Sequence, residues 1–339
     1  MPQAPIFSII IPVYNVKQYL GTCLDSLVQQ TFQDFEAIIV DDVSNDGSKD
    51  IALSYAQRFP EHFKVILHEV NTRQGGARNT GIGVAAGQYL MFLDSDDYLT
   101  PNALEVLHRA MEERNAPILE FCQQLVDEQG RPLRKDQWPG WLDTAKPYPQ
   151  PLLVSGMGPC NKVYRRELFF QPDIRFPLNH FYEDYWTVPK LLLRSGQVSY
   201  LHDALYCYRQ RTGSTTHSKD VSHNRDVLLG TDELLTYFKA NSMSEAQFAE
   251  LEFLAVTHLL INATLRISCI DWRSPLQQEI LTYMQTHFPN WKNNPYLGKL
   301  DSRKRRLMQL IAKEQHLLVH ILWCQRNNLS GWVKRMIKR

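Results

Sequence analysis

The residues best suited to chemistry form a short acidic cluster, residues 93–97, which follows an apolar run and contains three aspartates. Three carboxylates within four residues repel one another, and a bound divalent cation relieves that repulsion. Because hard oxygen ligands suit Mg²⁺ and Mn²⁺, the cluster predicts a site for one of these ions. The alternative is an acidic cap for the helix that follows. The position at the end of a core strand favours the metal site.

A second polar cluster, residues 41–48, follows an earlier apolar run. Its acidic and small polar side chains can accept hydrogen bonds from a ribose or a base. The alternative is that Asp46 or Ser48 caps the next helix, which accounts for one or two of these residues but not for the acids at the strand end. We therefore expect part of this cluster to bind a ligand.

A third cluster places Glu183 and Asp184 among aromatic residues, ahead of a helical pattern. A carboxylate in the first turn of a helix is stabilised as the anion by the helix dipole, which suits a base that accepts a hydroxyl proton. Helix capping is the simpler alternative. Pro189 lies inside the pattern, so we predict that the helix begins late or is kinked.

Two arginines, Arg209 and Arg211, precede a hydroxyl-rich segment at residues 212–216. Arginine forks can bind a diphosphate through paired hydrogen bonds, whereas the ordinary alternative is a solvated loop. The sequence contains no Gly-x-x-x-x-Gly-Lys loop, and no Gly-x-Gly-x-x-Gly follows the first apolar run. Kinase-like and dinucleotide-dependent functions therefore lose their main support.

The elements that must position these clusters alternate along the first hundred residues. Helical periods separate four apolar β-type runs, at residues 7–11, 37–40, 65–67 and 89–93. This alternation predicts an α/β fold with a doubly wound, mainly parallel sheet and a ligand at the carboxyl ends of its strands. Residues 101–114 predict a helix and residues 118–126 a strand. The stretch 131–151 is rich in proline and tryptophan, which predicts a mobile lid or an irregular packed loop.

From about residue 224 the pattern is helical. We therefore predict an α/β domain over residues 1–220 and a helical C-terminal domain with a basic amphipathic tail over residues 221–339. Six well-separated cysteines predict a reducing compartment and a fold held by its core. Because the sequence contains no run of 18 apolar residues, we expect neither a spanning helix nor a secretory signal.

Charge is balanced over the chain, with 37 basic and 36 acidic residues, which argues against disorder and against a nucleic-acid-coating protein. The balance conceals a basic segment, because residues 299–339 hold eleven Lys or Arg against two acids. Leucine and isoleucine recur there at helical spacing. The segment predicts docking on an anionic membrane surface, or alternatively a helix packed on the protein itself. The corresponding location is the cytoplasm, peripheral to the inner face of the membrane.

Taken together, the chain resembles the family 2 inverting glycosyltransferases, which have the A-type nucleotide-diphosphosugar fold. The resemblance covers about residues 5–217 and rests on segments that occur in order. These are residues 7–15, 41–48, 76–82, 89–98, 161–168, 183–184 and 208–216. One departure is Val43, which stands where a glycine is frequent.

The resemblance implies that residues 1–220 form a nucleotide-sugar-binding catalytic domain with a binding site for a UDP-sugar. The backbone around Pro12 and Tyr14 and the carboxylate of Asp42 would hold uracil, with Arg78 nearby. Asp94 would meet the ribose.

The resemblance also implies a metal ion on the diphosphate. Asp96 would bind the Mn²⁺ or Mg²⁺, with Asp94 and His217 as further ligands. Arg209 and Arg211 would bind the diphosphate itself.

Asp184 would act as the general base, supported by Glu183. The residue types suit that chemistry, because a cation and arginines stabilise charge on the leaving UDP while one carboxylate takes the acceptor's proton. Direct displacement of this kind inverts the anomeric carbon. We expect transfer of a hexosyl or N-acetylhexosaminyl group to a glycan or lipid-linked acceptor in cell-surface polysaccharide synthesis, with no nucleic-acid partner.

Two alternatives belong to other classes. A catalytically silent nucleotide-sugar-binding or scaffold protein predicts a missing base, whereas Asp184 is present. A nucleotidyltransferase calls for a glycine-rich basic loop after the first strand, where this chain has Val13, Tyr14 and Asn15.

Overall fold

The computed structural model of the protein describes residues 4–170, 173–211 and 220–324. The chain forms two compact units, Met1–Thr215 and Thr216–Arg339. The first contains a sheet flanked by helices and the second is helical, which confirms the predicted fold class.

Nine strands within the described residues form one mixed sheet. They are β1 (Phe7–Val13), β2 (Phe35–Asp41), β3 (Phe63–Leu67), β4 (Tyr89–Phe92), β5 (Tyr98–Leu99), β6 (Ile118–Val126), β7 (Pro132–Lys135), β8 (Lys162–Arg165) and β9 (Ser199–Arg209). The order is β3-β2-β1-β4-β8-β6-β9-β5, with β7 paired to β6. The strands β3, β2, β1 and β4 run parallel, as the alternating pattern predicts.

Five helices of the first unit accompany the sheet: α1 (Lys17–Val28), α2 (Ser48–Arg58), α3 (Arg73–Val84), α4 (Ala103–Arg114) and α5 (Glu183–Ser195). The spacing that predicts α1 is also the spacing of its buried face, because Leu20, Cys23, Leu24 and Leu27 are all inaccessible to solvent. Burying side chains of this kind stabilises the fold by about 1.5–3 kcal/mol each. These connections hold the parallel strands in one direction, so that their carboxyl ends lie at one edge.

The stretch 131–151 begins with β7 and is otherwise irregular. Trp138 donates from its indole Nε1 to the carbonyl of Leu201 at 2.8 Å, and its ring packs edge-on against Tyr200. Tyr148 forms a backbone bridge with Val198. These contacts favour the packed loop over the mobile lid.

The second unit contains α6 (Arg225–Ala240), α7 (Glu245–Ala255), α8 (Thr264–Ile270), α9 (Leu276–His287), α10 (Ser302–Ala312) and α11 (His316–Val319). A π-helical segment, Val256–Ala263, joins α7 to α8. The continuous run Glu245–Ile270 is long and apolar enough to cross a membrane by length and composition, with a mean hydropathy of 1.6 in its most apolar stretch. Core helices pass the same test, and 61% of that stretch is buried within the protein.

The cysteines depart from the prediction at one position. Cys23, Cys122, Cys160 and Cys207 are free and buried, as expected for a reducing compartment. Cys269 is instead disulfide-bonded. Wide spacing in the sequence therefore did not exclude a cross-link, because the fold decides which cysteines meet.

Candidate active site

The predicted clusters meet at one edge of the sheet. Val13 pairs with Asp41 across β1 and β2, and Ile10 pairs with Phe92 across β1 and β4. The residues that follow these three parallel strands therefore emerge side by side. Pro12 is buried within β1, whereas Tyr14, just beyond the strand, is 55% exposed. The backbone around these two residues is the part predicted to hold uracil, and the exposed side chain of Tyr14 lies beside it.

The carboxylate of Asp42 forms several hydrogen bonds within the protein. Its carboxylate accepts hydrogen bonds from the backbone N and the hydroxyl of Thr72, at 2.9 and 3.0 Å, and from His68 Nδ1 at 2.8 Å. The side chain therefore fixes the segment that leads into α3. Both carboxylate oxygens thus accept hydrogen bonds from the protein, and the predicted contact of Asp42 with uracil stays a prediction.

The neighbouring Asp41 has the free oxygen that Asp42 lacks. Its Oδ1 accepts from the backbone N of Ser44 at 3.0 Å, while its buried Oδ2 has no hydrogen-bond partner among the described residues. A buried carboxylate oxygen without a donor is costly unless a ligand supplies one. Asp41 therefore suits the N–H of a base better than Asp42 does.

The loop after Asp41 is tied to the loop after β1. Asp46 Oδ2 accepts from the backbone N of Lys17, and Asp46 Oδ1 accepts from the backbone N of Ser48, both at 2.9 Å. The capping alternative is thus correct for Asp46, but the carboxylate serves the starts of α1 and α2 together. Val43 has φ of +68°, the left-handed region that suits glycine, which explains why a glycine is frequent at this position.

The acidic cluster after β4 divides into one buried and two accessible carboxylates. Asp97 is buried and accepts from Tyr206 Oη and from the backbone N of Arg209, both at 2.7 Å. Burial, followed by the charges of Asp96 and Asp94, raises the pKa of Asp97 well above its usual value. Asp94 and Asp96 are 23% and 21% exposed.

The carboxylates of the acidic cluster suit a metal ion that is bound partly by the protein and partly by a substrate. No group of three His, Cys, Asp or Glu side chains converges within the described part of the chain. Mg²⁺ and chemically similar ions are commonly held by one or two carboxylates together with substrate phosphates. Asp96 and Asp94 fit that requirement. The third predicted ligand, His217, lies outside the described residues.

The two predicted diphosphate ligands have different surroundings. Arg209 is buried and donates to the carbonyls of Asp96 and Glu128 at 2.9 and 2.6 Å, so its guanidinium holds loops rather than facing a ligand. Arg211 is partly exposed, and its Nε donates to Asp96 Oδ2. Arg211 therefore has the more accessible guanidinium of the two, and the diphosphate role of both arginines stays a prediction.

Arg78 is buried between two acidic side chains. It is 2% exposed, with NH2 2.9 Å from Asp94 Oδ1 and NH1 2.6 Å from Glu183 Oε1. Burial lowers the pKa of Arg78, but the charges of Asp94 and Glu183 outweigh it and raise the pKa above the usual value. One guanidinium thus joins the acidic cluster after β4 to the first turn of α5, and its predicted position near uracil stays a prediction.

The predicted base stands at the start of α5. The helix begins at Glu183, six residues before Pro189, so the predicted late start is wrong. Burial, followed by the negative charge of Glu183, raises the pKa of Asp184 to about 7. The expected effect of the helix dipole is therefore outweighed by desolvation. A carboxylate that titrates near neutrality is well matched to general-base chemistry.

Sequence reasoning missed Asp41 and the supporting residues His68, Thr72 and Tyr206. Asp41 occupies the strand end itself, a position that could have identified it. The other three have no local signal, because their role depends on partners far along the chain.

Comparison with known proteins gives a consistent result. Residues 8–170 match the family described as Glycosyl transferase family 2. The EpsH glycosyltransferase of Bacillus subtilis is 32% identical over 265 residues, which cover 76% of each chain. TarS of Staphylococcus aureus, a poly(ribitol-phosphate) beta-N-acetylglucosaminyltransferase, is 30% identical over 226 residues, which cover 64% of this chain and 38% of TarS.

Two solved structures share the fold. Residues 1–349 of TarS superpose with a TM-score of 0.69 at 23% identity, covering 94% of this chain and 91% of that one. The same TarS fragment has been solved with UDP and with UDP-GlcNAc. A mannosyltransferase from Pyrobaculum calidifontis, solved with GDP-Man and Mn²⁺, has a TM-score of 0.55 at 14% identity, covering 95% of this chain and 88% of its own.

Proposed function

This chain belongs to glycosyltransferase family 2, and we propose that it transfers a sugar from a UDP-sugar to an acceptor hydroxyl with inversion at the anomeric carbon. The observation that carries the proposal is the bridge made by Arg78. Its guanidinium contacts Asp94 at the carboxyl end of β4 and Glu183 beside the candidate base Asp184. One buried cation thereby joins Asp94, a carboxylate of the donor side, to the first turn of the helix that carries Asp184.

The donor side of the site suits a uridine diphosphate. Asp41 Oδ2 can accept the uracil N–H, and the exposed ring of Tyr14 lies beyond the neighbouring strand. Asp96 and Asp94 would hold Mn²⁺ or Mg²⁺, which supplies positive charge to the departing diphosphate when bound. The UDP complexes of TarS and the Mn²⁺ complex of the mannosyltransferase support this choice.

The acceptor side needs one base. Asp184 accepts the hydroxyl proton as the acceptor oxygen attacks the sugar, and Glu183 holds the first turn of α5 through its bond to Arg78. Because no second carboxylate is needed to form a sugar–enzyme bond, the product has inverted stereochemistry. In this proposal, the guanidinium of Arg211 neutralises the negative charge of the leaving diphosphate.

The similarity to EpsH and to TarS supports a role in making a cell-surface polysaccharide or a related polymer. The transferred group in this proposal is a hexose or an N-acetylhexosamine. The acceptor is a glycan or a lipid-linked glycan.

The test is a panel of nucleotide sugars, measured by thermal stabilisation and by donor hydrolysis with Mn²⁺ present. We expect UDP-sugars to raise the melting temperature and to be hydrolysed slowly, whereas matched GDP- and CMP-sugars have little effect. Stabilisation without hydrolysis or transfer would indicate a silent binding protein. Release of pyrophosphate from a sugar phosphate and UTP would indicate a nucleotidyltransferase.

The basic segment supports a further part of the proposal, peripheral docking of a cytoplasmic enzyme on the inner face of the membrane. The apolar face of α10 is buried through Leu307 and Ile311, so this half of the segment packs on the protein, as the alternative predicted. After α10 the pattern differs. Three apolar side chains remain exposed by 39–45%: Leu317, Leu318 and Ile321.

Basic and aromatic residues adjoin these exposed side chains. The guanidinium of Arg303 lies 5.8 Å from the ring centre of Trp323, and Lys304 and Arg306 are also exposed. Anionic headgroups contribute about 1 kcal/mol for each nearby base, while apolar side chains enter the interface. The two kinds of residue together match an anionic bilayer surface.

Charge removal should release the protein from anionic vesicles. Changing Arg303, Lys304 and Arg306 to Gln removes about 3 kcal/mol of attraction, which corresponds to a loss of roughly a hundredfold in partitioning. Co-sedimentation with vesicles of anionic and of neutral lipid, at low and high salt, measures the effect. Shortening the chain near residue 298 is a poorer test, because it removes the buried Leu307 and Ile311.

The matched control changes the exposed Arg131, Arg134 and Lys146 of the first unit to Gln, which removes the same charge elsewhere and should leave sedimentation unchanged. Equal and negligible sedimentation of the unaltered protein with both lipids would contradict membrane docking.

A further inference from the structure

An exposed arginine at the start of α3 lies next to the candidate base segment. Arg73 is the first residue of α3, and its guanidinium lies 4.5 Å from the ring centre of Phe181. Phe181 precedes Asp184 by three residues, so the stacked pair borders the acceptor side of the site. A cation held over a ring in this way is oriented while its hydrogen-bond donors remain available.

Close packing fixes Arg73 in this position. A Cβ atom on Gly75 would lie 2.4 Å from the carbonyl oxygen of Pro177, so the first turn of α3 touches the segment that leads to α5. Between these residues, Gln74 donates from Nε2 to Asp94 Oδ1 at 3.2 Å. Arg73 is therefore set between the acidic cluster and the base segment by its own neighbours in sequence.

Arg73 differs from the other arginines of the site in its charge pairing. Arg78 is paired with Asp94 and Glu183, and Arg211 is paired with Asp96. In the parts of the chain that the structure describes, the side chain of Arg73 has no ion pair. Its φ of +60° is a conformation that costs a non-glycine residue about 1–2 kcal/mol. An unpaired guanidinium at a strained position beside a reaction site calls for an anionic ligand.

We infer that Arg73 and Phe181 form an acceptor subsite for a sugar that carries an oxyanion, either a phosphate ester or a carboxylate. The inference rests on the proposed function, because it assigns the acceptor class for that reaction. The planar guanidinium of Arg73 donates two hydrogen bonds to the oxyanion within its own plane, and the ring of Phe181 stacks on one face of that plane. The acceptor hydroxyl is then presented to Asp184.

Three octyl glycosides that differ only in the group at C6 of the sugar test the assignment: octyl glucoside, its 6-phosphate and octyl glucuronide. Binding to the full chain is measured by calorimetry, with and without UDP and Mn²⁺. We expect at least one anionic probe to bind about tenfold more tightly than the neutral probe. In Arg73→Gln the preference should disappear, while the Kd values of UDP and of the neutral probe change less than twofold. The phosphate and glucuronide arms distinguish the two sources of the oxyanion.

A matched control is Arg58→Gln. Arg58 is also exposed and stacks on the rings of Tyr55 and Phe59, at 5.3 and 5.1 Å, on α2. It should retain the full preference for the anionic probe. Arg73→Gly provides a second variant that suits the left-handed backbone, so its loss of preference is not a folding defect.

Three results would overturn the inference. They are the absence of an anionic preference in the unaltered protein, its survival in Arg73→Gln, and a loss of UDP affinity in Arg73→Gln as large as the loss for the anionic probe. The last result would assign Arg73 to the donor diphosphate. Failure of the proposed function is separate, since it appears as absence of UDP binding in the unaltered protein.

Discussion

Asp184→Asn should abolish sugar transfer while making the protein more stable above pH 7. Removing a general base costs about 10²–10⁴-fold in rate, and asparagine cannot accept the acceptor's proton. UDP affinity should stay within a few-fold, because the base acts on the acceptor and not on the nucleotide. Initial rates of transfer, together with UDP titrations of both proteins, measure the two effects separately.

The gain in stability follows from the raised pKa of Asp184. Burial and the charge of Glu183 move that pKa from the usual 3.8 to about 7, so the folded protein keeps a proton that the unfolded chain releases at lower pH. The stabilisation from this proton is complete below pH 4 and is lost as the pH rises through 7. Asparagine carries no charge at any pH. The variant should therefore melt at a higher temperature than the unaltered protein at pH 8.5, and at a similar temperature below pH 4, with the difference growing between these limits.

The same titration should shape the activity. Transfer needs the ionised carboxylate, so kcat/KM of the unaltered protein should rise with pH through about 7. Glu183→Gln is the matched control, since it keeps a hydrogen-bonding group for Arg78 and should slow transfer less than Asp184→Asn. If Asp184→Asn loses UDP binding as severely as activity, the side chain is structural or a donor ligand, and the base lies elsewhere.

The sequence predicts most of the features that depend on neighbouring residues. The apolar runs locate β1, β2, β3 and β4, and the spacing in α1 identifies its buried face. The polar clusters follow strands that the structure shows to be parallel neighbours, so their meeting at one edge could be inferred from the alternation of elements. Local pattern therefore predicts both the fold and the place where the site forms.

Contacts between distant residues could not be predicted in the same way. Asp41 and Asp42 are chemically identical, and what separates them is that Asp42 meets His68 and Thr72, which lie 26 and 30 residues further along the chain. Arg78 joins Asp94 to Glu183, 105 residues away, and nothing in its own neighbourhood indicates that bridge.

The direction in which the pKa of Asp184 is shifted could not be predicted from the sequence either. The helix dipole at Asp184 can be anticipated from sequence, whereas the opposing desolvation depends on how α5 packs.

Asp96→Asn should remove the metal dependence of UDP binding. Asp96 and Asp94 are the accessible carboxylates of the cluster, and Mn²⁺ is expected to share them with the diphosphate. In the unaltered protein, adding Mn²⁺ should tighten UDP binding by tenfold or more, and a chelator should stop transfer. In Asp96→Asn, UDP should bind equally weakly with and without Mn²⁺. Calorimetric titration of UDP at fixed Mn²⁺ measures the difference, and activity in Asp96→Asn equal to that of the unaltered protein would contradict the assignment.

A substitution of Arg211 gives a second test of the metal site at Asp96. Its Nε donates to Asp96 Oδ2, so the guanidinium and a metal compete for one carboxylate. Arg211→Gln should therefore bind Mn²⁺ alone several-fold more tightly, as seen by Mn²⁺ electron paramagnetic resonance. It should bind UDP more weakly once Mn²⁺ is present, because the variant has no guanidinium to contact the diphosphate. Arg131→Gln is the control, since it breaks a similar pair in which Arg131 Nε lies 2.6 Å from Asp127 Oδ2. Effects of opposite sign on the two ligands separate this role from general destabilisation, which would weaken both.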